Sequence, residues 1–220
     1  MVIKTLFVDE FRGFAKSRVM AALWIGLPLL SVLIRYAQPD ADGMPLLTFV
    51  AILLAGIGGT VAAVLLSTGI TSERSRHVYD LFLVRPVKRR DLILAKYFAA
   101  FSCLLIAVLL SVLLGILIEV VTGDFSADTL MRQNLESLLI TLTGISIACA
   151  VGIFFGIVMN SVAVSAILSA YLGNQITGLL ILPIALVASL NVPLYCILVG
   201  IAVPVLILTA SAVIFERKNV

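Results

Sequence analysis

Charge is scarce in this sequence of 220 residues, of which only 12% are Asp, Glu, Lys or Arg and 62% are apolar. About a quarter of the residues in a soluble domain are charged, so the composition excludes an ordinary soluble protein. Three stretches contain no charged residue at all, and they hold 29, 22 and 79 residues: 44–72, 97–118 and 137–215. Because a membrane-spanning helix needs about 20 apolar residues, the sequence predicts an all-α, polytopic membrane protein.

Residues that carry chemistry are also few. His77 is the single histidine, and Cys103, Cys149 and Cys196 lie in apolar stretches without the spacing of a metal site. The sequence has no Gly-x4-Gly-Lys-Ser/Thr, so it has no P-loop to bind ATP phosphates. No predicted span has a charged residue near its centre, which disfavours an ion-driven secondary transporter. Intramembrane catalysis is the least favoured function, and no metal or cofactor bound directly by the chain is expected.

Turn-forming residues divide the apolar sequence into six predicted spans. Asn160-Ser161 marks one turn, and the segment 189–193 marks another. The spans, which form one transmembrane domain over 1–220, run approximately over 19–37, 46–71, 95–120, 135–159, 162–187 and 193–214. The fifth contains Gly173, Gly178 and Pro183, so a broken or re-entrant helix is the alternative there.

The distribution of positive charge predicts the orientation. Thirteen of the fifteen Lys and Arg residues lie before the first span, between the second and third, or after the sixth. Only Arg35 and Arg132 lie on the opposite side. Because positively charged loops stay in the cytoplasm, both termini and the 72–96 loop are predicted to be cytoplasmic. This asymmetry accounts for the formal net charge of +3 without a nucleic-acid partner.

Residues 1–18 have the pattern of an amphipathic helix lying in the membrane interface. Five apolar residues share one face: Ile3, Leu6, Phe7, Phe11 and Phe14. Asp9, Arg12 and Lys16 share the other face, whereas Glu10 intrudes on the apolar one. The pattern suits either a static anchor or an elbow that moves with the first span, and both interpretations stay open.

The 72–96 loop contains seven of the Lys and Arg residues and has a helical pattern of its own. Val78, Leu81 and Phe82 recur at helical spacing, and Pro86 is expected to end the helix. Residues four apart add possible side-chain pairs: Glu73 with His77 and Arg76 with Asp80. A second helix is predicted to start near Lys88 and continue into the third span. A short projecting helix with an apolar face suits docking on a cytosolic partner, and the alternative is a solvated loop that only fixes orientation.

This layout resembles the membrane subunit of an ABC-2 type transporter, in which a basic amphipathic helix precedes six spans. Four segments of the loop carry the resemblance: Ser72-Glu73-Arg74, Leu81-Phe82-Leu83, Pro86-Val87-Lys88-Arg89 and Lys96. The chain departs from the family pattern at Arg76-His77-Val78, where members often have a Gly-Thr pair.

The resemblance implies an exporter permease in the cytoplasmic (inner) membrane of a prokaryote. It implies pairing with itself, or with a related permease, and with separate ABC ATPase subunits that hold the ATP and Mg. It also implies that seven loop residues couple the chain to the ATPase: Glu73, Arg76, Val78, Leu81, Phe82, Arg85 and Pro86. A nucleotide-independent membrane scaffold or channel-like assembly is the alternative function.

Polar and small residues inside the spans supply the remaining candidates. An unpaired amide is costly in a bilayer, so Asn174 and Gln175 are expected either to line a substrate path or to form interhelical hydrogen bonds. Gly152 and Gly156 form a GxxxG pair that allows another helix to approach closely. A pathway of apolar groups, hydroxyls and amides suits a hydrophobic, amphipathic or lipid-linked cargo.

Overall fold

The computed structural model describes residues 2–37, 46–75, 89–122, 127–186 and 191–217. The described residues form seven helices and no strand: α1 Val2–Ala15, α2 Arg18–Ala37, α3 Leu46–Ser75, α4 Arg89–Thr122, α5 Ala127–Val158, α6 Val162–Leu186 and α7 Val192–Arg217. The all-helical prediction is therefore confirmed for this part of the chain.

The helices α3 to α7 are each long and apolar enough to cross a membrane. The helices α1 and α2 meet at 69° and pass the same test only when they are taken together. Within the described ranges there are thus five candidate spans, or six if the bent pair counts as one. The break lies at Ser17, whose carbonyl accepts the N–H of Ala21 at 3.0 Å and so begins the hydrogen-bond ladder of α2.

The centre of the bundle is α5, in which positions 143–150 are all buried. This helix packs against α3, α4, α6 and α7, and its closest association is with α3. A helix that is apolar on every side is expected at the centre of a bundle. The helices α1 and α2 lie outside this group and pack mainly on α4.

Short polar turns separate the last three helices. The carbonyl of Ser161 accepts the N–H of Ser165 at 2.9 Å at the start of α6, and Asn191 does the same for Tyr195 at 3.0 Å at the start of α7. Pro183 lies inside α6, which is one continuous helix rather than a helix and a re-entrant piece. A bundle tolerates an internal proline because neighbouring groups satisfy the freed carbonyl.

Candidate functional site

The predicted docking loop lies between the end of α3 at Ser75 and the start of α4 at Arg89. Six of its predicted coupling residues lie outside the described residues, as does His77: Arg76, Val78, Leu81, Phe82, Arg85 and Pro86. Of the predicted coupling set, Glu73 alone falls within a described helix. The structure therefore bears on the two ends of the loop, and its middle remains a sequence-based prediction.

The second end of the loop, where α4 begins, is held by a buried lysine. The Nζ atom of Lys96 lies 2.7 Å from Oε1 of Glu10 and 2.8 Å from Oε1 of Glu73. The lysine side chain is only 5% exposed, whereas those of Glu10 and Glu73 are 26% and 35% exposed. A buried ammonium is tolerated only when opposite charge and hydrogen bonds replace its water. We call these three residues the charged junction.

The charged junction joins three helices, because Glu10 belongs to α1, Glu73 to α3 and Lys96 to α4. It also explains why an acidic residue interrupts the apolar face of α1, since Glu10 points at the ammonium of another helix. The sequence pattern offered His77 as a neighbour for Glu73, and the structure adds Lys96 as a direct ionic partner. The amphipathic N-terminal helix is thereby attached to both flanks of the loop.

The last turn of α3 is also tied to the end of α5. Arg74 donates through Nη1 to the backbone carbonyl of Ile157 and through Nη2 to Oδ1 of Asn160 at 2.7 Å. One turn earlier, the hydroxyl of Thr71 donates to the carbonyl of Gly156 at 3.1 Å. The carbonyls at a helix C-terminus have no partners within the helix and carry partial negative charge, so a guanidinium suits this place. The start of the loop is thus anchored to the central helix.

Small residues bring the backbones of α3 and α5 into contact. A Cβ atom on Gly152 would lie 2.6 Å from the carbonyl oxygen of Ala63, and one on Gly156 would lie 3.1 Å from that of Ser67. Residues four apart on each helix face one another in parallel: Ala55, Gly59, Ala63 and Ser67 on α3, and Gly144, Ala148, Gly152 and Gly156 on α5. Only glycine allows this approach at Gly152, so α3 and α5 form one closely packed unit.

Asn174 and Gln175 lie on the outside of the single chain, in the middle of α6. Among the described residues, neither amide has a hydrogen-bond partner, and the side-chain oxygen of Asn174 approaches Gly56 of α3. Neither side chain is therefore paired with a polar group on another described helix. Both predicted roles, lining a substrate path and hydrogen bonding to another helix, stay predictions.

The His, Cys, Asp and Glu side chains of the described ranges do not cluster. No group of three or more His, Cys, Asp or Glu residues there is placed to hold a metal ion. Cys103, Cys149 and Cys196 are free thiols buried in different helices. The described contacts connect the two ends of the 76–88 segment to α1, α3, α4 and α5 through ion pairs and hydrogen bonds.

Sequence reasoning missed the two sets of contacts that build this site. The buried position of Lys96 and the Arg74 contacts join residues far apart in the chain, and no spacing rule pairs them. One signal was present, since an acidic residue on an otherwise apolar helix face, Glu10, requires a cation within reach.

The fold and the site together define a polytopic helical membrane protein whose contacts converge on the base of one loop. A family model described as ABC-2 family transporter protein matches residues 10–176, which is well over half of the chain and extends from α1 into α6. The chain belongs to this family and is a membrane component of an ABC transporter. Family membership implies association with ABC ATPase subunits in general. Comparison with curated proteins finds no match.

Proposed function

We propose that this chain is the membrane-spanning permease subunit of an ATP-driven exporter, and that the 72–96 loop is where a separate ATPase acts on it. The observation that carries the proposal is the anchoring of both loop ends, by Arg74 on α5 and by Lys96 on α1 and α3. A displacement of the loop would then move α1, α3, α4 and α5, instead of bending only the residues at the base of the loop. ATP and Mg would be bound by the partner, and both chain termini would lie on its side of the membrane.

The coupling follows from the differential contact that two states of the ATPase would make with the loop. If the ATPase binds the loop in both its closed and its open form, its motion shifts the equilibrium between two arrangements of the permease. The α3–α5 unit would follow the first end of the loop, and α4 with α1 would follow the second. Paired permeases moving in this way would alternate access to a hydrophobic or amphipathic cargo.

Replacing Leu81 with aspartate tests the docking face. In the predicted loop helix, Val78, Leu81 and Phe82 share one face, and Leu83 lies on the opposite side. Burying a carboxylate in a docked apolar contact is expected to lower co-purification of the ATPase, and coupled ATP turnover in liposomes, by about tenfold or more. Leu83→Asp introduces the same charge two residues away and is expected to have little effect.

Two results would contradict the proposal. One is a well-folded preparation that binds no ABC ATPase subunit. The other is Leu81→Asp acting no more strongly than Leu83→Asp, which would favour the nucleotide-independent scaffold or channel-like assembly instead.

We further propose that the chain pairs with a second copy through the exposed face of α6. Asn174 and Gln175 lie at mid-helix on that face, where contact with lipid would leave two amides without partners. Polar residues inside a membrane face protein or water, so a second permease covering this face would relieve the cost and place the amides at a subunit boundary.

Disulfide crosslinking tests this pairing. In a chain whose three buried cysteines are replaced by alanine, Gln175→Cys is expected to give a crosslinked dimer in native membranes on mild oxidation. Leu206→Cys is the matched control, because Leu206 lies near the middle of α7 and is 68% exposed. Crosslinking at position 206 that equals or exceeds that at 175 would place the subunit boundary on another face.

A further inference from the structure

A groove runs along the bundle between α4 and α7. Both helices pack against α5, but they contact each other only slightly, and a cavity of about 510 Å³ lies between them. Its floor is formed by Tyr97 of α4, Ser146 of α5 and Gly200 of α7. The groove is independent of the charged junction and of the amides on α6.

The polar groups of the floor are hydrogen-bonded to one another. The hydroxyl of Ser146 donates to the carbonyl of Gly200 at 3.0 Å, so it accepts from the hydroxyl of Tyr97 at 2.7 Å. Apart from Thr209 of α7, the walls are largely apolar: Leu94, Phe98 and Phe101 on α4, and Ile201, Val205 and Val213 on α7. Phe98 and Ile201 are 52% and 60% exposed in the single chain. The groove therefore offers an occupant an apolar surface along its length.

One end of the groove is lined by a guanidinium. Arg90, at the start of α4, lines this end, and Phe101 lines the other. At 1.5 Å per residue, the eleven steps from Arg90 to Phe101 rise about 16 Å, and half of a bilayer core is about 15 Å deep. The groove thus has about the depth of one leaflet, with Arg90 at the end where α4 begins.

The dimensions favour a hydrocarbon chain over a helix as the occupant. A volume of 510 Å³ over this length of about 16 Å gives a mean cross-section of about 30 Å². A helix with its side chains is about 10 Å across, which is about 80 Å² in section, so a helix would cover the groove rather than enter it. A single hydrocarbon chain is narrow enough to enter the groove.

We propose that the groove binds an acyl chain of an anionic phospholipid from the leaflet on the side of the 76–88 loop, with the lipid phosphate at Arg90. A guanidinium binds phosphate oxygens in pairs, and a basic residue at the membrane surface attracts anionic lipid. A lipid held there fills the gap between α4 and α7. This binding does not depend on what the transporter moves.

Native mass spectrometry of the full chain, released from micelles containing equal amounts of phosphatidylglycerol and phosphatidylcholine, tests the site. One phosphatidylglycerol is expected to be retained per chain. Ile201→Trp fills the groove and is expected to reduce this retention at least about fivefold, the effect of losing one apolar contact of about 1 kcal/mol or more. Leu198→Trp is the matched control, since Leu198 is 61% exposed but does not line the groove.

The headgroup contact is tested separately. Arg90→Gln is expected to reduce the preference for phosphatidylglycerol over phosphatidylcholine about fivefold while an acyl chain still binds. Arg18→Gln removes an exposed positive charge at the start of α2, outside the groove, and is expected to leave the preference unchanged. Circular dichroism checks that all four variants keep their helices.

Several outcomes would overturn the proposal. Equal loss of lipid in Ile201→Trp and Leu198→Trp would mean that the groove is not the site. An unchanged preference in Arg90→Gln, or an equal loss in Arg18→Gln, would mean that Arg90 does not recognise the headgroup. A change in the monomer–dimer ratio of Ile201→Trp with no change in bound lipid would mean that protein covers this face.

Discussion

Replacing Lys96 with methionine is expected to destabilise the chain by about 3 kcal/mol, at the lower end of the range for breaking a buried ion pair. The substitution keeps the length and apolar stem of the side chain but removes the ammonium between Glu10 and Glu73. The lower end applies because both carboxylates retain partial access to water. The free energy of unfolding, measured by titration with sodium dodecyl sulfate in mixed micelles, checks the size of the effect.

Lys16→Met provides the control for Lys96→Met. Lys16 is an exposed lysine just after α1, and its replacement is expected to change the free energy by no more than about 0.5 kcal/mol. Equal effects of the two substitutions would mean that the charged junction does not stabilise the fold. If the cost comes from carboxylates left without a cation, adding Glu10→Gln and Glu73→Gln to Lys96→Met should restore most of the lost stability.

The charged junction is also expected to matter for coupling. The triple variant removes the ionic link between α1, α3 and α4 even where stability is regained. We therefore expect it to retain ATPase binding but to show reduced coupled turnover in liposomes, because the loop no longer acts on α1. Turnover equal to that of the unmodified chain would limit the charged junction to a role in folding.

Replacing Gly152 with alanine is expected to cost about 2 to 3 kcal/mol, toward the upper part of the range for overpacking a close contact. The added methyl group would lie 2.6 Å from the carbonyl oxygen and 2.7 Å from the Cα atom of Ala63. Since these are backbone atoms, they cannot move aside as a side chain can, and the axes of α3 and α5 must separate. Unfolding in mixed micelles measures the cost.

The matched control for Gly152→Ala is Gly178→Ala. Gly178 lies inside α6, and a Cβ there would meet no heavy atom within 4 Å. Alanine has the higher helix propensity, so this change is expected to be neutral or to stabilise by up to about 1 kcal/mol. A similar loss of stability in both variants would attribute the effect to glycine in general and not to the α3–α5 contact.

Local features of the sequence were sufficient to locate helices. Charge-free runs and helix-capping residues act within a few positions, so the turn at Asn160-Ser161 could be read directly, and α6 begins at Val162. The break between α1 and α2 was predicted near residue 18, but its angle was not. Its 69° angle reflects how α1 packs on α4, which the sequence of the two helices does not specify.

Contacts between distant residues could not be predicted in the same way. Lys96 reads as an ordinary basic residue at the end of a span, and its burial depends on α1 and α3 arriving on either side of it. The groove between α4 and α7 arises because both helices pack on α5 but contact each other only slightly. The sequence of either helix alone does not specify this arrangement. The GxxxG pair at Gly152 was visible in the sequence, but its partner, Ala63 of α3, was not.

The four-residue repeat of small residues along α3 and α5 limits how this protein can deform. To slip past one another and recover equally close contact, the two helices would have to shift by about 6 Å, four residues at 1.5 Å each, and intermediate positions would force larger side chains between them. The helices α3 and α5 are therefore expected to move as one rigid body. Any change of shape must be accommodated where helices contact each other less closely, and one such place is the open groove between α4 and α7.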